Sequence, residues 1–310
     1  MCLIALAIDQ SRRFPLVVAA NRDEFFTRPA ARLAWWTPDV GGPAILGGRD
    51  LEVGGTWLGL TAQGRLAMLT NVRNPSRIDA QAPSRGQIVP QWLSGTEPTD
   101  RFWMRTALLG YNGFNLIAAD FKRGECFWAS NLHANPLRLE RGTYGVSNAS
   151  LDTAWPKTST LKHRLSAALD ETDSVDALAS ALFTALGGRQ VAADAELPTT
   201  GVPIELERAL SAAFIRTPDR QYGTRCSTLV ISERIGRGMV THVMERSYTA
   251  SGAVALLRQA TLKHWPPRYG DEGPPEPVEQ SVVSDGPRTR VRSLLKPAST
   301  PRRAAKRTSP

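Results

Sequence analysis

The chain opens with MCLIALAI at residues 1–8 and, after a short polar segment, continues with LVVAANRDEF at residues 16–25. Both runs are rich in Leu, Ile, Val and Ala, which is typical of short buried strands. The polar residues 9–13 between them predict a turn, so the two runs predict a β-hairpin. Cys2 then lies at the free end of the first strand, and the second strand returns toward that end. The sequence therefore predicts that Cys2 and Asp23 are neighbours in space.

Cys2 is the first candidate for chemistry. If Met1 is removed, Cys2 carries both a thiol and a free α-amine, whose reference pKa is about 8. An amine that is neutral near physiological pH can accept the proton of the thiol, so one residue supplies both nucleophile and base. This is the logic of the N-terminal-nucleophile hydrolases. The alternative interpretation of the same cysteine is a small buried residue that begins a strand.

Further sequence blocks follow the hairpin in a fixed order. They are Ala20–Phe25 with Arg28-Pro29, Gly54–Gly59, Leu69–Asn71, Tyr111–Leu116, Gly145–Asn148 and Tyr222–Arg225. Together with Cys2, these blocks resemble the NRDE family, also called the transport and Golgi organisation protein 2 family, over about residues 1–250. The resemblance implies an α+β fold, a four-layer αββα sandwich like that of the N-terminal-nucleophile hydrolases.

The same resemblance extends to N-terminal-cysteine amidohydrolases such as bile-salt hydrolases and penicillin V acylase, and it implies catalytic roles. Cys2 would be the nucleophile, and Asp23 would hold the α-amine through a charge-assisted hydrogen bond. Asn71 and Asn148 would offer N–H groups to the oxyanion or position backbone donors for it. Arg225 would lower the pKa of the thiol or pair with Asp23.

Four further residues of these blocks are predicted substrate contacts: Asn21, Arg22, Trp57 and Asn112. Each also has a structural interpretation, such as turn hydrogen bonds for the asparagines and a core position for the tryptophan. The amidohydrolases commonly carry an arginine three residues before the aspartate, where this chain has Ala20. Arg22 and Asp23 are neighbours on an extended strand and face opposite sides. We therefore expect that Arg22 does not replace the missing guanidinium.

The positive charge of the chain is concentrated at its C-terminal end. Eight basic residues and no acidic residue follow Asp285, so the formal net charge of +9 leaves the first 285 residues at +1. The composition predicts one domain over residues 1–264 and a Pro-rich, then basic tail over 265–310 that we expect to be disordered. The tail is interpreted as a solubilising extension or as an electrostatic attachment to nucleic acid or an anionic membrane. A specific nucleic-acid partner is not predicted, because no aromatic residue follows Tyr269.

Several classes of protein are disfavoured by the composition. Three cysteines do not make a disulfide framework, and a reducing compartment is expected. The four histidines lack metal-ligand spacing, and the glycines form no phosphate-binding fingerprint, so neither a metal nor a cofactor is predicted. The sequence shows no signal peptide and no apolar stretch of transmembrane length, which predicts a cytoplasmic protein without a transmembrane segment.

Other parts of the chain predict the rest of the fold. Strands are predicted at 57–61, 66–71, 114–120, 125–130, 225–232 and 239–246, and helices at 86–93, 100–109, 156–170, 174–186 and 204–214. Residues 31–56, rich in Gly and Pro, are expected to form loops.

Two functions follow from the sequence. The first is a cysteine-dependent amidohydrolase or acyltransferase that acts on a small amide or an acylated metabolite. The alternative is a non-catalytic binding or trafficking protein that holds a lipid-like, acyl-CoA or haem ligand in the same cleft. The departure at Ala20 and the aromatic residues near the motifs, such as Phe25 and Trp35, motivate this alternative. A haem would need an axial ligand, and the sequence offers no evident one. The oligomeric state is left open by the sequence.

Overall fold

The protein is seen in a computed structural model that describes residues 2–39 and 41–267, together with the backbone of residues 277–283. Its first sheet has the strand order β10-β1-β2-β11-β12-β13-β14. These strands are β1 (Cys2–Ile8), β2 (Leu16–Phe25), β10 (Gly142–Val146), β11 (Tyr222–Ile235), β12 (Gly238–Tyr248), β13 (Val254–Lys263) and β14 (Pro277–Val283). Every neighbouring pair in this sheet is antiparallel.

The second sheet is an antiparallel meander in which strands follow one another in chain order. It contains β3 (Ala30–Trp36), β4 (Ile45–Asp50), β5 (Leu58–Thr61), β6 (Arg65–Asn71), β7 (Phe114–Asp120), β8 (Glu125–Ser130) and β9 (Leu137–Arg138). The α-helices are α1 (Ile88–Ser94), α2 (Thr99–Ala107), α3 (Pro156–Glu171), α4 (Val175–Leu186) and α5 (Ile204–Ser211).

The alternation of side chains along β1 explains the layers. Ile4 and Leu6 point to a core shared with the second sheet, where they join Leu60 and Met68. The intervening Leu3 points to the opposite face, into a core formed with α3 and α4. A third core packs α1 and α2 on the outer face of the second sheet. The described residues therefore form an α+β fold with two stacked antiparallel sheets and helices on both outer faces.

The opening hairpin is as predicted. β1 pairs with β2 over its full length, from Cys2 opposite Arg22 to Ile8 opposite Leu16. The other predicted strand pairs and helices are also present, with small changes in their ends, and α5 ends at Ser211 rather than at residue 214.

The expectation of loops over residues 31–56 is wrong, because β3 and β4 lie there. Gly47, which made this segment look irregular, is required by close strand packing, since a Cβ at this position would lie 2.5 Å from the carbonyl oxygen of Leu58. Four more strands, β9, β10, β13 and β14, also lie outside the predicted set.

The predicted boundary at residue 264 lies before two structural features. The Trp265 side chain is fully buried in the core between the sheets, and the backbone of residues 277–283 pairs with β13 as strand β14. The remainder of the predicted disordered tail lies outside the described residues. Among the described residues, no helix has the length and apolar character needed to cross a membrane.

Candidate functional site

A cavity of about 290 Å³ opens where β1 begins and β2 ends. Six of the nine predicted site residues line it: Cys2, Arg22, Asp23, Trp57, Asn71 and Asn112. The wall also includes Arg28, Asp50 and Arg85, so the cavity is bounded by charged groups of both signs. The structure thus brings together in one cavity residues that are up to 110 positions apart in the sequence.

Cys2 is held at the start of the first sheet. The residue is 7% exposed, and its carbonyl oxygen accepts a hydrogen bond from Ser147 Oγ at 3.0 Å. Burial raises the pKa of the Cys2 thiol, and the negative charge of Asp23 acts in the same direction. The positive charge of Arg22 opposes this shift in the pKa of the thiol. The folded chain therefore places the thiol in a cavity but does not by itself make it a thiolate.

Asp23 lies next to Cys2 on the side of the hairpin that faces the helices. Its Oδ1 accepts a hydrogen bond from Thr224 Oγ1 at 2.7 Å, and its backbone oxygen accepts one from the Tyr222 hydroxyl at 3.0 Å. Burial raises the pKa of the Asp23 carboxyl, whereas the positive charge of Lys157 lowers it. The predicted closeness of Cys2 and Asp23 is confirmed.

Arg22 lies directly opposite Cys2 in the strand register. Its guanidinium carbon lies 4.3 Å from the centre of the Trp57 ring, and its Nη2 donates to Asp50 Oδ2 at 3.1 Å. The prediction that Arg22 and Asp23 face opposite sides is correct, and the further expectation that Arg22 does not replace the missing guanidinium stays a prediction. Because Ala20 and Arg22 share a face, Arg22 brings a guanidinium to the cavity on the side of Cys2.

Asn71 and Asn148 have different positions. Asn71 lines the cavity from the end of β6, whereas Asn148 is buried behind it. The Asn148 side-chain nitrogen donates to the backbone oxygen of Asn71 at 2.8 Å, and its oxygen accepts from Ser147 Oγ at 3.2 Å. This geometry favours the second of the two predicted roles of Asn148, in which it positions other groups rather than contacting the oxyanion.

Arg225 does not take its predicted position beside Asp23. Its Nη1 donates to the backbone oxygens of Phe25 and Arg28, at 2.5 Å and 2.9 Å, and its guanidinium lies over the Phe26 ring. It therefore fixes the turn that follows β2. A bulge in the pairing of β11 with β2, between Thr224 and Cys226, interrupts the strand alternation at this residue.

Two predicted substrate contacts, Asn21 and Asn112, use their side chains in hydrogen bonds to the protein backbone. Asn21 points to the helical side, where its nitrogen donates to the backbone oxygens of Leu186 and Ala213 at 2.9 Å and 2.8 Å. Asn112 lines the cavity, but its side chain makes hydrogen bonds of 2.8 Å in both directions with the backbone of Asp79. Asn21 therefore joins a strand to the end of a helix, and Asn112 supports the loop that forms a cavity wall.

Sequence reasoning missed several charged residues at or behind this cavity, and Arg85 and Lys157 are two of them. Arg85 lies in the cavity wall, where its Nη1 donates to the Gly113 backbone oxygen at 3.0 Å and burial lowers the pKa of its guanidinium. Lys157, in the first turn of α3, is 5% exposed and lies behind the hairpin near Asp23. Arg85 carries no pattern that distinguishes it from other surface arginines. Lys157 follows Pro156 at the start of an amphipathic helix, on the side that also carries Leu161 and Leu165, and that position is the one available signal.

Metal ligation finds no support in the residues that are described. Among them, no group of three or more His, Cys, Asp or Glu side chains is arranged to hold a metal ion.

Comparison with known proteins identifies the family. A family model described as Transport and Golgi organisation 2 matches residues 1–250 of the chain. The chain belongs to this family. The Transport and Golgi organization protein 2 homologue of Bos taurus is 34% identical over 273 residues, which cover 81% of this chain and 94% of the relative. The homologue of Homo sapiens is 32% identical over 290 residues, covering 86% and 97%. The family resemblance inferred from the ordered sequence blocks is therefore confirmed.

Solved structures show a more distant likeness. A mutant conjugated bile acid hydrolase from Clostridium perfringens gives a TM-score of 0.41 at 9% identity, covering 78% of this chain and 92% of that chain. An N-acylethanolamine-hydrolyzing acid amidase orthologue from Caenorhabditis elegans gives a TM-score of 0.42 at 10% identity, covering 74% and 92%.

Proposed function

We propose that this protein is an N-terminal-nucleophile amidohydrolase, or a related acyltransferase, that acts on a small polar amide or acylated metabolite through Cys2. The observation that carries the proposal is the position of Cys2 at the free end of β1, in the wall of a cavity that also contains Asp23 and Asn71. Removal of Met1 would place a free α-amine beside the thiol at this position. Membership of the family does not indicate which reaction is catalysed, because the names of the relatives describe transport and Golgi organisation.

The proposed reaction begins with transfer of the thiol proton to the α-amine of Cys2. The sulfur attacks the carbonyl carbon of the amide, and a tetrahedral intermediate forms with its negative charge on oxygen. The C–N bond then breaks, and the leaving amine takes the proton from the α-ammonium group. Water, deprotonated by the freed α-amine, attacks the resulting thioester, and the C–S bond breaks to release the carboxylic acid. In the acyltransferase version an acceptor amine replaces this water.

The surrounding residues have supporting roles in this proposal. Asp23 would orient the α-amine of Cys2, and the Asn71 side chain would donate a hydrogen bond to the oxyanion, a contact worth about 3 kcal/mol in known enzymes. Asn148 would hold the Asn71 backbone in place through its 2.8 Å hydrogen bond. Arg22 would place positive charge near the developing negative charge on the sulfur.

The binding alternative has less support at this cavity. A haem or a long acyl chain needs a large apolar pocket, whereas this cavity has a volume of about 290 Å³ and is lined by Arg22, Arg85, Asp50 and other charged side chains. A small polar ligand fits its size and charge better.

The proposal is tested by a Cys2→Ala variant assayed with a panel of small amides and thioesters. We expect turnover to fall by about a thousandfold or more, because the variant lacks the nucleophile. Cys126→Ala is the matched control, since Cys126 lies on β8 and borders a different surface groove. Acyl-enzyme on Cys2, trapped by acid quench and located by peptide mass spectrometry, would support the mechanism directly. Full turnover in Cys2→Ala would refute it.

A further inference from the structure

Ser147 is a buried serine behind the cavity, at the point where β10 ends. The residue is 3% exposed, and the sequence blocks assigned it no role. Its hydroxyl oxygen lies 3.0 Å from the backbone oxygen of Cys2 and 3.2 Å from the side-chain oxygen of Asn148. A hydroxyl has a single proton, so the two acceptors share it. Ser147 is therefore hydrogen-bonded to the candidate nucleophile and to the asparagine behind the cavity.

The bond to Cys2 lies beyond the end of a strand pairing. The ladder between β10 and β1 ends with Val146 opposite Ile4, two residues short of Cys2. The chain after β10 then turns toward the second sheet, where the backbone oxygen of Asn148 accepts from the Arg73 nitrogen at 2.8 Å. The serine hydroxyl thus supplies a hydrogen bond to the Cys2 carbonyl at a point where the backbone ladder has ended.

Asn148 extends this connection to Asn71, the proposed oxyanion donor. The Asn148 side-chain nitrogen donates to the backbone oxygen of Asn71 at 2.8 Å. Cys2 begins β1 of the first sheet and Asn71 ends β6 of the second sheet, and both line the cavity. A continuous set of hydrogen bonds therefore joins the two sheets through Ser147 and Asn148 at the end where the cavity opens.

We infer that Ser147 is a positioning residue of the Cys2 site, whose hydroxyl fixes the start of β1 and with it the position of Cys2 relative to Asn71. The inference rests on the proposed function, in which the sulfur attacks a carbonyl whose oxygen faces Asn71. A displacement of about 1 Å between reacting groups can lower a rate by about a hundredfold. The serine bonds to the backbone of Cys2 and carries no charge, so it acts on geometry and leaves the ionisation of the thiol unchanged.

The first arm of the test measures turnover of the best substrate from the panel of amides and thioesters. We expect Ser147→Ala to lower kcat by about ten- to a hundredfold, because the nucleophile and the oxyanion donor are no longer held in register. KM should change little, since the side chains that line the cavity are the same. Ser147→Thr keeps the hydroxyl, and we expect it to recover most of the lost kcat.

Ser232→Ala is the matched control. Ser232 is a fully buried serine of the same sheet, on β11, and it shares a hydrogen bond of 2.7 Å with Thr241 Oγ1. It pairs with Leu16, at the turn end of the opening hairpin and away from Cys2. The control variant thus loses a buried hydroxyl as Ser147→Ala does, and we expect it to keep the wild-type kcat.

The second arm needs no substrate. The rate of Cys2 alkylation by iodoacetamide is measured from pH 7 to 10, and the modified N-terminal peptide is quantified by mass spectrometry. We expect a severalfold higher rate in Ser147→Ala at every pH, because Cys2, which is 7% exposed, becomes more accessible when the start of β1 loses this bond. Ser232→Ala should react at the wild-type rate.

A folded Ser147→Ala variant whose kcat equals that of Ser232→Ala would overturn the inference, since a merely structural serine would lower thermal stability and leave kcat in place. If Ser147→Ala does not fold, Ser147→Cys replaces it, because a thiol is a weaker hydrogen-bond donor. A wild-type protein without turnover would instead defeat the proposed function. The alkylation arm then decides the inference alone, and equal rates in Ser147→Ala and Ser232→Ala would overturn it.

Discussion

Arg22 shows how a single side chain joins the two sheets at the cavity. It extends from β2 of the first sheet, stacks on Trp57 and pairs with Asp50, both of which belong to the second-sheet side. Asp50 also accepts from Arg28 Nε at 2.6 Å and from the backbone nitrogens of residues 52 and 53. Two arginine side chains and two backbone N–H groups therefore bond to the same buried carboxylate, that of Asp50.

Replacement of Arg22 tests this arrangement. We expect Arg22→Met to lower the free energy of unfolding by about 3 kcal/mol, because it leaves the buried Asp50 with a single partner arginine. Urea unfolding followed by circular dichroism measures the change. The exposed pair of Arg105 and Glu97 provides the control, and Arg105→Met should change stability by less than about 1 kcal/mol. Equal effects of the two variants would contradict the structural role of Arg22.

Glu245 gives a prediction about pH. It is buried on β12, accepts from the Leu33 backbone nitrogen at 2.8 Å, and burial raises the pKa of its carboxyl from 4.5. The folded protein thus holds this proton more tightly than the unfolded chain, so the contribution of Glu245 to stability falls as pH rises above 4.5. We expect Glu245→Gln, which does not titrate, to gain stability relative to the wild type over that range. Urea unfolding at a series of pH values between 4 and 8 measures the difference, and a constant difference would contradict the assignment.

At the residue scale, sequence reasoning located the cavity better than it assigned individual roles. Cys2, Asp23 and Asn71 follow from the hairpin and the ordered blocks, because antiparallel pairing brings their strand ends together. The positions of Asn21 and Arg225 do not follow in the same way. Strand alternation points the Asn21 side chain away from the cavity. Arg225 lies at a β-bulge, which no local sequence pattern predicts.

At the scale of elements, the segment after β4 forms a wall of the cavity through close backbone contact. A Cβ on Gly55 would lie 2.1 Å from the backbone oxygen of Gly86, to which the Thr56 nitrogen donates at 3.0 Å. Gly55 is thus required because another chain segment approaches it, whereas Gly54 has a left-handed φ of +73° that favours glycine. This contact fixes the loop that carries Arg85 against the second sheet.

Gly55→Ala tests this contact. We expect a loss of about 3 kcal/mol or more in the free energy of unfolding, because the backbone of Gly86 must move to accept the added methyl group. Gly238→Ala is the control, since its nearest neighbour would be 3.7 Å from the new Cβ. Thermal unfolding of both variants provides the measurement. A Gly55→Ala protein as stable as Gly238→Ala would show that the two segments do not pack as described.

Two of the strands that sequence reasoning missed, β3 and β4, share a physical cause. β3 and β4 contain glycines and adjacent tryptophans instead of an alternation of apolar and polar residues, because several of their contacts are with the other sheet and with backbone. The helices α3 and α4, each with one apolar face against the first sheet, carry a clear 3.6-residue pattern and were located within one or two residues.

At the scale of the whole molecule, Trp265 closes the core between the two sheets. Its indole nitrogen donates to the Thr61 backbone oxygen at 2.9 Å, its backbone oxygen accepts from Thr241 Oγ1 at 2.6 Å, and its ring meets Phe121 edge-on. It therefore joins β5 of the second sheet to β12 of the first. The prolines that follow Trp265 resemble the start of a disordered tail, so the sequence did not predict a core position for this residue.

Replacement of Trp265 by alanine should lower the free energy of unfolding by about 3–5 kcal/mol, the usual effect of removing a large buried aromatic side chain. Urea unfolding measures this effect, and Trp36→Ala, at a partly exposed position on β3, should have a smaller one. Comparable losses in both variants would contradict the central position of Trp265.

The central claim, that Cys2 acts as an N-terminal nucleophile, requires a chain that begins at Cys2. The most direct measurement is the mass of the N-terminal peptide from protein made at low level in a native-like host. The account predicts a peptide that starts at Cys2 with an unmodified α-amine. A peptide that retains Met1 would contradict it, because Cys2 would then have no free amine to act as its base.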